Sequence, residues 1–234
     1  MALPKPPELP DPAIYSQEKL HLAGTLPSWD TPDISAIEWR PRHTPGVKSV
    51  AWVRVHNHSS TTSAVNVAVV AEMSEFGIGT PREPVASLFC SVGPNAHAVI
   101  EFPVPQKYGK QASAGVHVTL MHPTDSDRSN NAGSQALAFI NLNVASVTTR
   151  LRVRNPAAQA AVIQLRCVAN GTLSATATPS SVALQPGAEA SVDIEISRLP
   201  TAPAVQANVT EGAVTVIGVG PGNSLVGGVT YLVL

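Results

Sequence analysis

A pair of histidines in this sequence has the spacing of a metal site. His56-Asn57-His58 places two imidazoles on one side of a strand, because strand side chains alternate. Zinc or nickel could bind there if a third ligand came from elsewhere in the chain, and the candidates are His43, His97 and His122. No carboxylate or cysteine lies nearby in the sequence. We therefore interpret them as surface histidines and expect no metal and no cofactor.

The loop at residues 125–130 could bind a different cation. Its sequence, Asp-Ser-Asp-Arg-Ser-Asn, presents oxygen ligands at alternate positions, which suits calcium. It lacks the glycine and the distant bidentate glutamate of an EF-hand, and Arg128 lies within it. Since Asp and Asn are also the usual residues of turns, a turn is the favoured interpretation, and calcium binding stays open.

The sequence offers no recognisable catalytic set. It contains no Gly-x-Ser-x-Gly nucleophile elbow. Gly218-Val219-Gly220-Pro221-Gly222 superficially resembles a phosphate-binding loop, but it lacks the Lys-Ser/Thr pair and does not lead into a helix. A connection between two strands is the better interpretation, and residues 74–79 are likewise predicted to form a loop at the end of a sheet. We expect the protein not to be an enzyme.

Charged side chains are scarce. The 234 residues include 15 Lys+Arg and 16 Asp+Glu, which is 13% with a net charge of −1, whereas about 25% is usual in soluble domains. This balance excludes the clustered positive charge on which nucleic-acid binding depends. Arg150, Arg152 and Arg154 form the most basic stretch, and Arg166 could lie beside them on a paired strand. They form either a solvated face or a surface that docks on an acidic partner.

The elements that must position these groups are short alternating segments separated by polar turns, a pattern typical of β-sandwiches. Residues 33–145 and 146–234 each contain one set, which predicts an all-β protein with two tandem immunoglobulin-like β-sandwich domains. The predicted strands are 33–39, 47–56, 64–73, 85–90, 97–102, 115–121 and 135–142 in the first set, and 147–154, 161–168, 172–178, 191–196, 212–217 and 225–234 in the second. Asn170-Gly171 is predicted to form a tight hairpin.

Residues 1–32 form a proline-rich N-terminal arm. Prolines at positions 4, 6, 7, 10, 12, 27 and 32 prevent a long helix or a central strand, so only residues 16–20 could form a helical turn. Spaced apolar side chains are of little use to a solvated tether. We expect them to dock either on the chain's own domain or on a neighbouring subunit, and the predicted contacts are Leu9, Ile14, Tyr15, Leu20 and Trp29.

Short motifs carry a family resemblance across residues 29–234. Trp29-Asp30-Thr31-Pro32-Asp33-Ile34, Val53-Arg54-Val55-His56-Asn57 and the loop at 123–131 resemble the CARDB-like immunoglobulin-type modules of bacterial extracellular and surface proteins. Val153-Arg154-Asn155-Pro156, Leu184-Gln185-Pro186-Gly187 and Gly227-Gly228-Val229-Thr230 resemble the NEW3-type or fibronectin-like modules that often follow. The resemblance implies a fold, and with it an adhesion or carbohydrate-binding role as one alternative.

The sequence also bears on the compartment of the protein. No run of 18 apolar residues exists, so no transmembrane segment is predicted. The N-terminal residues lack the apolar core of a signal peptide, so we expect a protein that is cytoplasmic at synthesis and then particle-associated or released.

Cys90 and Cys167 are 77 positions apart in different predicted domains, and we expect two free, buried thiols.

The function that fits these features best is a non-catalytic structural protein. It would dock on neighbouring subunits, including copies of itself, through the arm and the Arg150–Arg154 strand, for example as an accessory or decoration component of a phage or phage-like particle. Strands at 85–100 and 203–234 are almost uncharged, and uncharged edges invite pairing with other chains.

The alternative is a surface-adhesion or carbohydrate-binding module. Only 4% of residues are aromatic, Trp39 and Trp52 are expected to be buried, and Trp29 and Tyr108 remain for stacking on a sugar.

Overall fold

The computed structural model describes residues 8–36, 50–109, 113–142, 144–199 and 212–234. Trp39, His43, residues 203–211 and the parts of the predicted strands at 37–39 and 47–49 lie outside the described residues. The described chain is all-β. Its elements are β1 (Pro12–Ala13), α1 (Gln17–Leu22), β2 (Ile34–Ala36), β3 (Val50–Asn57), β4 (Ala64–Glu75), β5 (Arg82–Val92), β6 (His97–Pro103), α2 (Gln106–Gly109), β7 (Ala114–Met121), β8 (Ala132–Ile140), β9 (Ser146–Arg154), β10 (Ala161–Ala169), β11 (Leu173–Thr178), β12 (Ser181–Leu184), β13 (Glu189–Arg198), β14 (Gly212–Val219) and β15 (Leu225–Val233).

These strands form three sheets. The largest has eight strands in the order β12-β10-β14-β15-β8-β7-β4-β5. A second contains β1, β3 and β2, with β6 also paired to β3, and the third has the order β11-β13-β9. The strands predicted from alternation are confirmed within the described residues, whereas β1 and β12 are additions that the sequence did not predict.

The two halves of the chain repeat one pairing scheme. In the first half β4 lies between β5 and β7, and β7 pairs with β8; in the second half β10 lies between β12 and β14, and β14 pairs with β15. Likewise β3 pairs with β6 as β9 pairs with β13. The halves meet where β8 and β15 pair in parallel. The eight-stranded sheet therefore has the same strand order in both directions from this junction.

Two hydrophobic cores lie on opposite faces of that sheet. Val116 and Val118 belong to the first core, and their cross-strand partners on β8 are Gln135 and Gly133. Ala136 points to the other face because strand side chains alternate, and it packs in the second core with Leu151 and other buried residues. The two smaller sheets therefore cover opposite faces of the large one.

Strand position explains why the C-terminal strands are uncharged. β14 and β15 lie in the middle of the eight-stranded sheet, and most of their side chains are buried on both faces. Strands that are buried on both faces have nearly continuous apolar sequences. The predicted pairing of these two strands is confirmed, and residues 220–224 form a turn between them in which Gly222 has φ +65°. Gly218 and Val219 belong to β14 itself.

The described part of the arm packs on the chain itself. β1 pairs with β3, Ile14 lies in the first core and Trp29 lies in the second. The helical turn expected at residues 16–20 is found as α1, whose N-cap Ser16 accepts a hydrogen bond from the Lys19 N–H at 3.3 Å. Residues 8–32 thus connect both cores.

Two expectations about the strands and their turns were wrong. Trp52 is half-buried on the outer side of its sheet, because Ala51, Val53 and Val55 occupy the buried positions of β3. Asn170-Gly171 does not close a hairpin: β10 belongs to the eight-stranded sheet and β11 to the three-stranded one, so this turn carries the chain between sheets. Among the described residues, no helix is long and apolar enough to cross a membrane.

Candidate functional site

The edge strand β5 is largely exposed and, beyond its first residues, carries no charge. It ends the eight-stranded sheet and, among the described strands, pairs with β4 alone. Its residues from Val85 to Val92 carry no charge, and Phe89 is 69% exposed. An edge strand leaves a row of backbone N–H and C=O groups without sheet partners, which is a template for pairing with another strand. This edge can therefore accept a further strand.

A row of apolar side chains crosses the sheet from this edge. Phe89 lies opposite Ala68 on β4, and Ala68 lies opposite Met121 on β7. Met121 is 53% exposed, and Val65 on β4 is similarly exposed. Pro84, Arg82 and Glu83, all features that discourage edge pairing, are confined to the beginning of β5. The remainder of the strand lacks such protection.

The chain's own carboxylates screen the arginines of β9. Arg150 lies opposite Asp193 on β13, with Nε 3.7 Å from Oδ1, and Arg154 lies opposite Glu189, with Nε 3.8 Å from Oε1. Arg152 pairs with both Glu75 and Glu189. The suggestion that Arg166 joins them was wrong, because β10 belongs to a different sheet from β9. The β9 arginines thus form a mixed, solvent-facing surface.

The predicted contacts of the arm are divided between the interior and the surface. Ile14 and Trp29 are buried in the chain's own cores. The Tyr15 hydroxyl accepts a hydrogen bond from the Ser28 N–H at 3.1 Å, and Leu20 is half-buried. Leu9 is 50% exposed. Of the two docking alternatives for these residues, Ile14 and Trp29 follow the first, because they pack in the chain's own cores.

Three histidines come together with two carboxylates, one from the arm and one from the residue that follows it. The His56 ring lies 6.1 Å from that of His58 and 5.8 Å from that of His97, measured between centroids. Asp33 Oδ1 lies 2.9 Å from His56 Nε2, and Asp11 Oδ2 lies 3.8 Å from His58 Nδ1. These carboxylates could not be assigned to the histidines from the sequence, because they are distant from them along the chain. Within the described ranges, no group of three or more His, Cys, Asp or Glu residues is placed to hold a metal.

The acidic loop has the bonding of a turn. Asp125 Oδ1 accepts from the Asp127 N–H at 3.0 Å, and Asp127 Oδ1 accepts from the Ser129 N–H at 3.0 Å. The Lys19 ammonium lies 2.7 Å from Asp127 Oδ2. Hydrogen bonds from Lys19 and Ser129 lower the pKa of Asp127 to about 2. The carboxylates thus accept local N–H groups and an ammonium group, as the turn interpretation expects.

A cavity of about 170 Å³ lies where the arm meets both halves of the chain, and His117 is part of its wall. The His117 Nε2 lies 3.0 Å from Ser74 Oγ, and Nδ1 lies 2.8 Å from Ser134 Oγ. Burial, and secondly the charge of Arg82, lower the pKa of His117 to about 3. The imidazole is therefore neutral at physiological pH.

This shift predicts acid-sensitive stability. Between pH 6.5 and pH 3 the unfolded chain binds a proton at His117 that the folded chain does not, so the free energy of unfolding falls as the pH falls through that window, by up to about 1.4 kcal/mol per pH unit. Urea unfolding at pH 7, 5.5 and 4.5 measures this slope. His117→Gln should reduce it, whereas His122→Gln, outside this cavity, should not. Equal slopes for the wild type and His117→Gln would contradict the assignment.

The aromatic side chains are placed differently from the sequence-based expectation. Trp29 and Tyr108, the predicted sugar-stacking candidates, are buried, and the Tyr108 hydroxyl donates to Met73 O at 3.2 Å. Trp52 lies instead on an outer sheet face, with the Arg54 guanidinium 5.5 Å from its ring centroid.

Cys90 and Cys167 are free and half-buried, and burial raises the pKa of both thiols.

Comparisons with known proteins identify no family. No family model matches the sequence, and no curated protein matches it. Among solved structures, the exo-chitosanase CsxA of Amycolatopsis orientalis has 12% identity over 80% of this chain and 26% of its own, with a TM-score of 0.27. A protein of unknown function from Porphyromonas gingivalis W83 has 12% identity over 86% of this chain and 99% of its own, also with a TM-score of 0.27. The chain spans about a quarter of the chitosanase, and these likenesses carry no argument about function.

Proposed function

We propose that this chain is a non-catalytic structural protein that assembles with copies of itself through the edge of β5. The observation that carries the proposal is the position of its two uncharged regions. β14 and β15 lack charge because they are central and buried. β5 lacks charge from Val85 to Val92 while it lies at an edge and exposes Phe89. The described residues do not bury that second region, and burial by a partner would account for its lack of charge.

A second copy suits this edge by symmetry. A two-fold axis perpendicular to the sheet would pair two β5 strands antiparallel and keep corresponding side chains on one face. The rows of Phe89, Ala68 and Met121 from both copies would then form one continuous apolar band. A net charge of −1 gives little repulsion between copies, and uncharged strands have little desolvation cost on pairing.

The wider architecture supports a role as a rigid building unit. We infer two immunoglobulin-like β-sandwich domains, at residues 33–145 and 146–234, that share the eight-stranded sheet, with the proline-rich arm connecting them. The repeated pairing scheme and the two separate cores support this interpretation. Leu9 and Arg150, both exposed, are further contacts for neighbouring subunits. An accessory or decoration component of a phage or phage-like particle is one setting for such a unit.

A charge placed on the edge tests the proposal. Phe89→Lys would bring two ammonium groups into the apolar band, so the dissociation constant of the dimer should rise at least tenfold, which is about 1.4 kcal/mol. Analytical ultracentrifugation measures this constant. Val162→Lys places the same charge at an exposed valine on β10 and should leave it unchanged. Equal dissociation constants for Phe89→Lys and the wild type would rule out this edge as the interface.

Trp52 favours carbohydrate binding as a second candidate function. It is half-buried on an outer sheet face beside Arg54, and a sugar ring could stack on such an indole while the guanidinium donates to hydroxyls. On a glycan array, binding that Trp52→Ala abolishes and Phe89→Ala leaves intact would support this function. An array without bound glycans would dispose of it.

A further inference from the structure

A groove of about 300 Å³ separates the β4–β5 loop from the connection that follows β9. It carries two guanidinium groups and no carboxylate among its lining residues. The wall residues are Gly79, Thr80, Pro81 and Arg82 on one side, and Arg154, Asn155, Pro156, Gly187 and Val226 on the other. This composition differs from that of the outer face of β9, where acidic side chains alternate with the arginines.

Among the described residues, Arg82 has no acidic partner of the kind that the three arginines of β9 have. No carboxylate of the described residues lies within 4.0 Å of its guanidinium, in contrast to Arg150, Arg152 and Arg154. Arg82 is exposed, yet the surrounding protein still lowers its pKa by desolvation, an effect that the more distant Glu72 partly offsets. A cation that is partly desolvated without a close counter-charge is stabilised by an anion.

Arg154 provides the second donor group. Its Nε donates to Gly187 O at 3.1 Å, which holds the guanidinium at the groove. Glu189 Oε1, 3.8 Å from the same Nε, is the nearest carboxylate. Because the Gly187 carbonyl engages Nε, the terminal nitrogens are the atoms that would face a ligand. Two arginines then approach one groove from opposite walls.

Hydrogen bonds between the walls hold the backbone on the two sides of the groove together. Ile78 N donates to Arg152 O, and Arg154 N donates to Ile78 O, both at 2.9 Å. Gly79 has φ +68°, and a Cβ there would overlap Arg154 O, so the loop requires glycine at this position. The Asn155 side chain is bonded to Gln159 O, Leu184 O and the Ala157 N–H. The backbone of the groove and the Arg154 side chain are thus held in place without a ligand, which reduces the entropy lost on binding.

We propose that this Arg82–Arg154 groove binds an oxyanion, either a carboxylate or a phosphate group. Guanidinium groups match both anions through paired N–H donors. Pro81, Pro156 and Val226 form apolar walls, which reduce solvent screening of the ion pair. The ligand would be either a free inorganic anion or an acidic side chain of a peptide. Arg82 is the first residue of β5, but the lining residues of the groove lie outside the Val85–Val92 segment of the proposed interface.

Isothermal titration at constant ionic strength tests this site, with inorganic phosphate and a tetraglutamate peptide as the two probes. Arg82→Gln should weaken binding at least tenfold, and Arg154→Gln should weaken it at least threefold. Arg82→Lys retains the charge without the planar fork and should have intermediate affinity. Arg166→Gln, at an exposed arginine on β10, is the matched control and should change affinity less than twofold.

The two probes also distinguish the sources of the ligand. Tighter binding of phosphate would assign the groove to a free anion, and tighter binding of the peptide would assign it to an acidic protein segment. The proposal is overturned if neither probe binds the wild type at 10 mM. It is also overturned if Arg82→Gln binds either probe as tightly as the wild type does.

Discussion

Replacement of Trp29 by alanine is expected to lower the free energy of unfolding by about 3–5 kcal/mol, the usual cost of removing a buried tryptophan. Trp29 is 3% exposed and lies in the second core, although it belongs to the arm. Its ring covers Gly228 so closely that a Cβ on that glycine would overlap it. Its backbone is also held, because its N–H donates to Thr230 Oγ1 and its carbonyl accepts from Ala136 N, both at 3.1 Å.

Urea unfolding measures this effect, and Leu26→Ala is the control. Leu26 belongs to the same segment but is 62% exposed, so its truncation should change stability by no more than about 0.5 kcal/mol. Similar small effects of both substitutions would mean that the arm does not dock on its own chain in solution. The arm would then be free to contact a neighbouring subunit, as the sequence allowed.

Replacement of Asn57 or Asn155 by alanine is expected to cost about 2–4 kcal/mol each, because several buried backbone groups would lose their partners. Asn57 Nδ2 donates to Thr62 O and Val92 O, and Oδ1 accepts from Ser59 N. Asn155 makes the three corresponding bonds with Gln159 O, Leu184 O and Ala157 N, whereas Asn57 also bonds to Gly93 O and the Asp11 N–H. Asn57 is the last residue of β3 and Asn155 directly follows β9, so the two substitutions test corresponding positions of the two halves.

Urea unfolding of both variants, beside Asn141→Ala at an exposed asparagine, measures these costs. The repeat predicts losses of similar size at the two buried positions and a negligible loss at the control. A large loss of unfolding free energy at Asn57 with none at Asn155 would show that the second half does not depend on the hydrogen bonds of its asparagine.

Local pattern was sufficient to predict most strands and the turn at α1. Alternation of apolar and polar side chains identifies a strand wherever one face is buried, as it is in β3, β4 and β13. The same reasoning misplaced Trp52, because β3 alternates in either register in the sequence and only the packing of Val53 and Val55 decides which face is buried.

Long-range pairing could not be predicted from the sequence. The parallel contact of β8 with β15 joins residues about 90 positions apart, and nothing local specifies it. The loop residue Ile78 bonds to β9 and lies in the second core, although its neighbours in sequence belong to the first half. One available signal was overlooked: Val53-Arg54-Val55-His56-Asn57 and Leu151-Arg152-Val153-Arg154-Asn155 are related sequences that end on the two buried asparagines.

The candidate interface was partly visible in the sequence. Low charge distinguished residues 85–100 and 203–234, but it could not separate a strand that is central from one that lies at an edge. Strand order makes that distinction for the described residues, since β14 and β15 are interior and β5 is terminal. The arm residues are the opposite case. Their spacing suggested docking on a subunit, whereas Ile14 and Trp29 fill the chain's own cores.

The mass of the wild-type protein in solution tests the central claim most directly. Sedimentation velocity with light scattering, over a concentration range from about 1 to 100 μM, should yield a species of twice the 24.3 kDa chain mass that dissociates on dilution. Phe89→Lys should shift this transition to higher concentration while Val162→Lys does not. A species of 24.3 kDa at every concentration would contradict self-assembly through the β5 edge.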